Sequence, residues 1–154
     1  MKDTSTPPNR SMPSSSIVPV LGYRDVRAAA EWLCRAFGFN ERLRIGEHRA
    51  QLVLDDAAIV ASALPAGAAS TTDSNHSMMM RVADVDRHHE HARRCGARIV
   101  VAPADHPYGE RQYSAQDIGG HLWTFSQTIA DVDPADWGGQ LFEECIDAAA
   151  HRPA

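Results

Sequence analysis

Residues 88–95 hold the densest group of potential metal ligands in this chain. The run His88-His89-Glu90-His91 is followed by Cys95, and the four-residue spacing of His91 and Cys95 places both side chains on one face of a helix. Imidazole and thiolate are ligands of zinc and similar ions. The alternative is a solvated helix face with one buried imidazole, because positions 85, 88, 89, 92 and 95 form an inward stripe. We favour this second interpretation.

Nucleophilic chemistry is the other possibility that the residue types allow. A cysteine beside a histidine could act as a nucleophile, but Cys34, Cys95 and Cys145 have no catalytic context, so core or edge thiols are the better interpretation. An odd number of cysteines without framework spacing favours reduced thiols and a cytoplasmic protein. Glu110 and Arg111 could provide an acid and an anion clamp, although an ion pair in a turn region is the commoner explanation.

Composition narrows the classes of partner. The 154 residues suffice for one domain, or two small fused modules, with a buried core. A net charge of -5 and a pI near 5.9 argue against nucleic acid or an anionic membrane as partner, and no apolar stretch approaches the ~20 residues of a membrane span. Residues 1–16 are rich in Ser, Pro and Thr without the apolar centre of a signal peptide, which predicts a disordered leader.

Apolar spacing and turn residues predict the same order of elements twice. The first half has a strand, then a helix that begins after the N-cap Asp25 and ends at Gly38, then three strands. After a linker at 65–75, the second half repeats this order, with its helix between Asp84 and Gly96. Asp25-Val26 recurs as Asp84-Val85, fifty-nine positions later, which supports an internal repeat. The predicted strands are 17–23, 39–45, 48–54, 57–64, 76–82, 98–102, 111–117 and 121–127.

The segment 107–125 has the most specific pattern in the chain. Aromatic and apolar residues alternate on both sides of the tight turn Asp117-Ile118-Gly119-Gly120, which predicts a hairpin. This hairpin resembles the last one of the vicinal-oxygen-chelate superfamily, which includes glyoxalases, bleomycin-resistance proteins and extradiol dioxygenases. The segment 82–98 is similar to that family as well. The resemblance covers residues 17–127 and implies an α+β fold, with two tandem βαβββ modules (17–64 and 76–127) forming a curled mixed sheet around a U-shaped groove.

The resemblance also implies where a metal would be held. Metal-dependent members take His and Glu ligands from the first, fourth, fifth and eighth strands. Here Val18, Ser77 and Thr124 stand at three of those positions, His76 points to the opposite face, and residues 57–64 contain no ligand. We therefore predict no metal and no cofactor. Because the lyase, isomerase and dioxygenase activities of the superfamily depend on that metal, we do not favour them for this chain.

Strand alternation assigns residues to the groove of the family fold. Leu122 and Thr124 are predicted to face it while Trp123 and Phe125 pack under a helix. Arg111 and Tyr113 are included as possible ligand contacts, with the alternative that Arg111 ties a turn to the sheet and Tyr113 belongs to the core. The predicted ligand-binding residues are Val18, Val20, Met79, Arg81, Tyr108, Arg111, Tyr113, Leu122 and Thr124.

The function that these observations favour is metal-free binding of a small molecule, in the manner of bleomycin-resistance proteins that sequester an antibiotic or metabolite. Two alternatives stay open: a glyoxalase- or dioxygenase-like enzyme with relocated catalytic groups, and an interaction subunit with a vestigial groove. The tail 128–154 is predicted to contain a short helix. The apolar residues of this tail need a surface to cover them; these residues are Trp137, Leu141, Phe142 and Ile146. Together with the exposed sheet edges, they predict a homodimer.

Overall fold

A computed structural model describes residues 7–68 and 75–142 of the chain. It confirms the predicted α+β fold of two tandem βαβββ modules. The first module consists of β1 (Val20–Tyr23), α1 (Val26–Phe37), β2 (Asn40–Ile45), β3 (Arg49–Leu54) and β4 (Ala57–Ala63). The second consists of β5 (Met78–Arg81), α2 (Val85–Arg94), β6 (Arg98–Asp105), β7 (Glu110–Gln116) and β8 (Leu122–Thr128), and is followed by a 3₁₀ turn (Pro134–Trp137).

Each module forms its own four-stranded sheet, and the two sheets have the same topology. The strand order is β1-β4-β3-β2 in the first and β5-β8-β7-β6 in the second. The opening strand of each module runs parallel to the closing strand, and the other pairs are antiparallel. The repeated order agrees with the internal repeat that the sequence predicted.

The helix ends form where the sequence placed them. The side chain of Asp25 accepts a hydrogen bond from the amide of Ala28, and that of Asp84 accepts one from the amide of Arg87, so each acid satisfies a first-turn amide. Gly38 ends α1 with a φ of 83°, a left-handed conformation that a residue without a Cβ adopts at low cost.

The strand ends differ from the predicted ones at two places. β1 begins at Val20 rather than at residue 17, since its ladder with β4 starts at the pair Val20–Val60 and Pro19 has no amide to donate. β6 continues to Asp105, beyond the predicted residue 102, because two register shifts let it keep pairing with β7.

The helix-bearing faces of the two sheets pack against each other in one shared core. The ring of Phe37 on α1 lies 5.3 Å from that of Trp123 and 4.8 Å from that of Phe125, both on β8. The indole of Trp32 donates to the carbonyl of Cys95 across the same junction. As a result, the other face of each sheet, here called its open face, is turned away from this core.

A buried carboxylate joins the two modules. Asp117, which is 7% exposed, follows β7 and accepts four hydrogen bonds. The hydroxyl of Tyr23 on β1 donates to it at 2.6 Å, and the indole of Trp123 donates at 3.0 Å. The amides of Gly119 and His121 supply the other two. Burial, reinforced by this carboxylate, raises the pKa of Tyr23, so the hydroxyl stays protonated and keeps donating.

One imidazole of the histidine run belongs to the core. His88 bonds through Nδ1 to the hydroxyl of Tyr113 and its ring lies 4.2 Å from that of Phe125. Burial lowers the pKa of His88 from 6.5 to about 4, since a charged ring would lose its hydration. The structure thus places His88 as the buried imidazole of α2.

The two ends of the chain contact the sheets. Within the leader 1–16, residues 7–16 are described and form a turn at 9–12 that rests on the first module. In the tail, the ring of Trp137 lies 5.4 Å from that of Tyr108, whereas Leu141 and Phe142 are exposed. Ile146 lies outside the described residues. Within those residues, neither helix is long and apolar enough to cross a membrane.

We expect Asp117→Ala to destabilise the protein by at least ~3 kcal/mol, because several buried donors lose a charged acceptor at once. Urea unfolding followed by far-UV circular dichroism measures the change. Asp105→Ala is the matched control, since that carboxylate is exposed and pairs with Arg111 at the surface. Equal effects of the two substitutions would contradict the role assigned to Asp117.

We also expect the free energy of unfolding to fall as the pH drops from about 6.5 to about 4. The unfolded chain takes up a proton on His88 in this range while the folded chain does not, so protonation favours unfolding. His88→Gln should flatten this part of the pH profile in urea titrations. His48→Gln, at an exposed position, should leave the profile as steep as in the native protein, and flattening by both would point to another cause.

Candidate functional site

The open face of the second module carries four of the predicted ligand-binding residues. Met79 on β5 pairs with Thr124 on β8, and Arg81 pairs with Ser126. Leu122 lies two residues before Thr124 and so shares its face. Alternation along these strands sends the neighbours Met78, Met80, Trp123 and Phe125 to the shared core.

Hydrogen bonds hold the polar side chains of this face in fixed positions. The hydroxyl of Tyr108 donates to Oε1 of Gln112 at 2.9 Å, and Nε2 of Gln112 donates to Oγ of Ser126 at 3.0 Å. Ser126 in turn donates to Glu110 at 2.8 Å. Ser126 is buried within this network, whereas Tyr108 and Gln112 are half-buried. Because the polar atoms of these two residues are already oriented, a ligand could contact them with little further ordering.

Three aromatic rings lie at one edge of this face. The ring of Tyr108 stacks on that of His106, with centroids 5.1 Å apart and planes 12° apart, and the ring of Trp137 lies 5.4 Å from it in an edge-to-face arrangement. Trp137 is 43% exposed. Of these three residues, only Tyr108 was among the predicted ligand contacts. The spacing His106-x-Tyr108 before a predicted strand was a signal for His106, and Trp137 was predicted only as an apolar residue of the tail.

Arg111 and Tyr113 lie on the opposite face of β7. Arg111 bonds to Asp86 at 2.9 Å and to Asp105 at 2.9 Å, and these bonds raise its pKa and lower that of Asp86. Tyr113 is fully buried. Both residues alternate with Gln112 and Ser114, which pair with open-face residues of β8. Arg111 and Tyr113 thus lie on the helix side of the sheet, away from Leu122 and Thr124, as in the alternative that ties Arg111 to the scaffold and Tyr113 to the core.

The open face of the first module is largely covered. Val20 is 56% exposed, but Val60, its partner on β4, is only 5% exposed. Gln51, which pairs with Val60 from β3, is a buried polar side chain. Val18 precedes β1 and is half-buried. The two open faces of one chain therefore differ: Met79 is 71% exposed on the second, whereas Gln51 and Val60 are both buried on the first.

The potential metal ligands are dispersed. Across residues 7–68 and 75–142, the side chains of His, Cys, Asp and Glu form no group of three or more that could hold a metal ion. Nε2 of His91 lies 2.7 Å from the carbonyl of Arg35 and 3.7 Å from Sγ of Cys95, so this predicted pair contacts the end of α1. His76 bonds to the side chain of its neighbour Asn75.

The described cysteines are free and partly buried thiols. Burial, with a contribution from Glu41, raises the pKa of Cys34, which disfavours the thiolate that nucleophilic catalysis requires. Cys145 lies outside the described residues. Glu110 accepts a hydrogen bond from Ser126 and so belongs to the open-face network, while Arg111 lies on the other side of the sheet.

Two cavities open at the junction of the modules. One, of about 210 Å³, lies beside Tyr23 and Gly119, and the other, of about 350 Å³, lies between Phe37 and His88. None of the nine predicted ligand-binding residues lines either cavity. The predicted ligand-binding residues are therefore separate from the two cavities at the module junction.

Comparison with solved structures finds the same fold. TioX from Micromonospora sp. ML1 is 33% identical over 74% of this chain and 98% of its own, with a TM-score of 0.62. A bleomycin-binding protein from bleomycin-producing Streptomyces verticillus, complexed with copper(II)-bleomycin, is 22% identical over 72% of this chain and 93% of its own (TM-score 0.57). A bleomycin resistance determinant encoded on the transposon Tn5 is 22% identical over 75% and 99% (TM-score 0.61).

No curated protein matches this chain. The sequence profile of the Glyoxalase/Bleomycin resistance protein/Dioxygenase superfamily matches residues 17–125, which span both modules. Together with the two βαβββ modules and the identity to TioX, this match establishes that the chain belongs to the Glyoxalase/Bleomycin resistance protein/Dioxygenase superfamily.

Proposed function

We propose that the protein binds a flat or amphipathic small molecule on the open face of its second module, without a metal ion, and that it sequesters this molecule rather than converting it. The observation that carries the proposal is the arrangement of that face. It combines an ordered polar network at Gln112 and Ser126 with exposed Met79 and an aromatic edge at Tyr108. Apolar lining with a few oriented polar groups is typical of small-molecule sites.

Each part of the face has a distinct role in this proposal. Tyr108 and Trp137 offer ring surfaces for stacking, and Met79 is 71% exposed and adapts its shape to an apolar ligand. Arg81, beside Ser126 in the β5–β8 pair, supplies a cation that would orient an acceptor. Val18 and Val20 contribute apolar surface from the first module.

The same residues support binding without a metal ion. Thr124, which the family resemblance places at a ligand position, instead forms a hydrogen bond of 2.7 Å with Ser114. A hydroxyl pair of this kind is a poor site for a divalent ion compared with His and carboxylate ligands. The bleomycin-binding protein of S. verticillus and the Tn5 resistance determinant share this fold, and their names support an antibiotic of that type as the first ligand to test.

We further propose that a homodimer encloses the ligand. The shared core directs both open faces outward, so the two faces of one chain do not face each other. A two-fold axis, the commonest closed symmetry, would bring the second module of one chain against the first module of another and build two equivalent grooves. Exposed Val20 and Met79 would be covered in this arrangement.

Titration with metal-free bleomycin and with copper(II)-bleomycin tests the binding proposal. We expect both to quench tryptophan fluorescence through Trp137, since Trp32 and Trp123 are buried, and we expect the quenching to persist after dialysis of the protein against a chelator. Loss of a stacked ring in Tyr108→Ala should weaken binding roughly three- to tenfold. Arg81→Ala should weaken it as well.

Arg111→Ala is the matched control for that titration, because Arg111 lies on the other face of the same sheet. It should bind as the native protein does. If binding is lost in Arg111→Ala but retained in Arg81→Ala, the ligand site lies on the helix-bearing face of the second module rather than on its open face. Absence of quenching by both forms of bleomycin would exclude a bleomycin-type ligand.

Sedimentation equilibrium at micromolar concentration tests the assembly. We expect a dimer, and we expect Met79→Glu to raise its dissociation constant about tenfold or more, because a charge would be buried at the contact. Ile118→Glu is the control, since Ile118 is exposed in the turn after β7 beside the cavity at the module junction. A native protein that sediments as a monomer would contradict the proposed dimer.

A further inference from the structure

We propose that the open face of the first module is a docking site for the chain's own N-terminal segment, and that residues 9–15 form a strap that keeps this face closed. Arg42 and Gln51 are the residues that recognise the strap. They bind two consecutive backbone carbonyls, those of Arg10 and Ser11. The docking stands on these contacts alone, whereas its effect on ligand binding rests on the proposed function.

The strap presents its carbonyls through a local turn. The amide of Met12 donates to the carbonyl of Asn9 at 3.1 Å, and the amide of Ser11 donates to Oδ1 of Asn9 at 3.0 Å. In a four-residue turn closed in this way, the carbonyl of the first residue accepts a hydrogen bond, and the carbonyls of the two central residues accept none within the turn. The carbonyls of Arg10 and Ser11 are therefore available to partners outside the turn.

The sheet supplies a matching pair of donors. Nη2 of Arg42 donates to the carbonyl of Arg10 at 2.8 Å, and Nε2 of Gln51 donates to the carbonyl of Ser11 at 2.8 Å. Nη1 of Arg42 also donates to Oε1 of Gln51 at 2.6 Å, which fixes the orientation of the amide. The register shift between Glu41 and Leu43 inserts Arg42 as an extra residue opposite Gln51, and such a bulge redirects a side chain.

The equivalent place in the second module shows why the strap docks here. There Ser114 faces Thr124 across the β7–β8 pair, and the two hydroxyls satisfy each other at 2.7 Å. In the first module Gln51 faces Val60 across the β3–β4 pair, and a valine offers no hydrogen bond. With the strap in place Gln51 is 5% exposed, and the carbonyl of Ser11 gives its amide a partner, so the strap covers the amide without leaving it unsatisfied.

Burial on this face is consistent with a cover. Ala58 and Val60 alternate with the core residues Ile59 and Ala61 and so lie on the open face, yet they are only 2% and 5% exposed. In the strap, Pro13 is buried, and Oγ of Ser15 donates to the carbonyl of Asp56 at 2.7 Å. A ligand or second subunit that uses this part of the face must therefore displace residues 9–15.

Limited proteolysis of the complete chain tests the docking without any ligand. Trypsin cleaves after Arg10, and the carbonyl of that peptide bond is the one that Arg42 holds. Cleavage requires release of the strap, so its rate follows the released fraction. We expect Arg42→Gln and Gln51→Leu each to accelerate cleavage at this bond roughly fivefold or more, while the bonds after Arg49 and Arg111 stay intact, which shows that the sheets remain folded.

The matched control is Arg44→Gln, two residues further along β2. Arg44 pairs with Glu41 and has no contact with residues 9–15 among its hydrogen bonds. Its cleavage rate should equal that of the native chain. The docking is overturned if Arg42→Gln and Gln51→Leu are cleaved after Arg10 no faster than Arg44→Gln.

Thiol labelling tests whether the strap covers the face. Val60→Cys should react slowly with a maleimide in the otherwise native chain, and roughly fivefold or more faster when Arg42→Gln is added. Ala61→Cys, on the core side of the same strand, should react equally slowly in both backgrounds; peptide mapping separates these sites from the native cysteines. If Val60→Cys reacts at the same rate with and without Arg42→Gln, the strap does not close this face.

Discussion

The carboxylate of Asp117 determines how the two modules are assembled. It lies in the tight turn after β7, and its donors come from both modules, Tyr23 from the first and Trp123 from the second. An ionised carboxylate in a buried place is tolerated only when its oxygens are satisfied, so the turn and β1 must meet in one arrangement. That arrangement brings the helix-bearing faces together around Phe37 and Phe125. The packing of the aromatic core thus depends on a polar contact at its edge.

Placing the helix-bearing faces inside has a direct consequence for function. The faces that remain for binding are directed outward, and none of the predicted groove residues lines the two cavities at the module junction. In a superfamily whose fold has two sheets, the position of one module relative to the other decides whether a groove forms within a chain or between chains. Here the core formed by Phe37, Trp123 and Phe125 turns both open faces outward, which is the reason for proposing a groove between chains.

The sequence predicted the order of elements because the signals for it are local. Caps at Asp25 and Asp84, glycines after both helices and alternation along β8 depend on neighbours within a few residues. Leu122 and Thr124 could be placed from alternation alone. The partner that holds Arg111 could not, since Asp86 lies on α2, 25 residues earlier in the chain. The leader 1–16 has the composition of a disordered segment, but carbonyls carry no sequence signal, so the contacts of residues 10 and 11 with Arg42 and Gln51 were not predictable.

The difference between the two modules comes down to one pair of facing positions. Ser114 and Thr124 bond to each other, and Met79, which pairs with Thr124, stays 71% exposed. In the first module, Gln51 faces Val60, and the unpaired amide is satisfied by the strap. The same fold therefore yields a face ready for a ligand in one module and a face closed by the chain itself in the other. In a two-fold dimer each groove would combine one face of each kind, so occupation of the groove and release of the strap would be linked through the residues of β3 and β4.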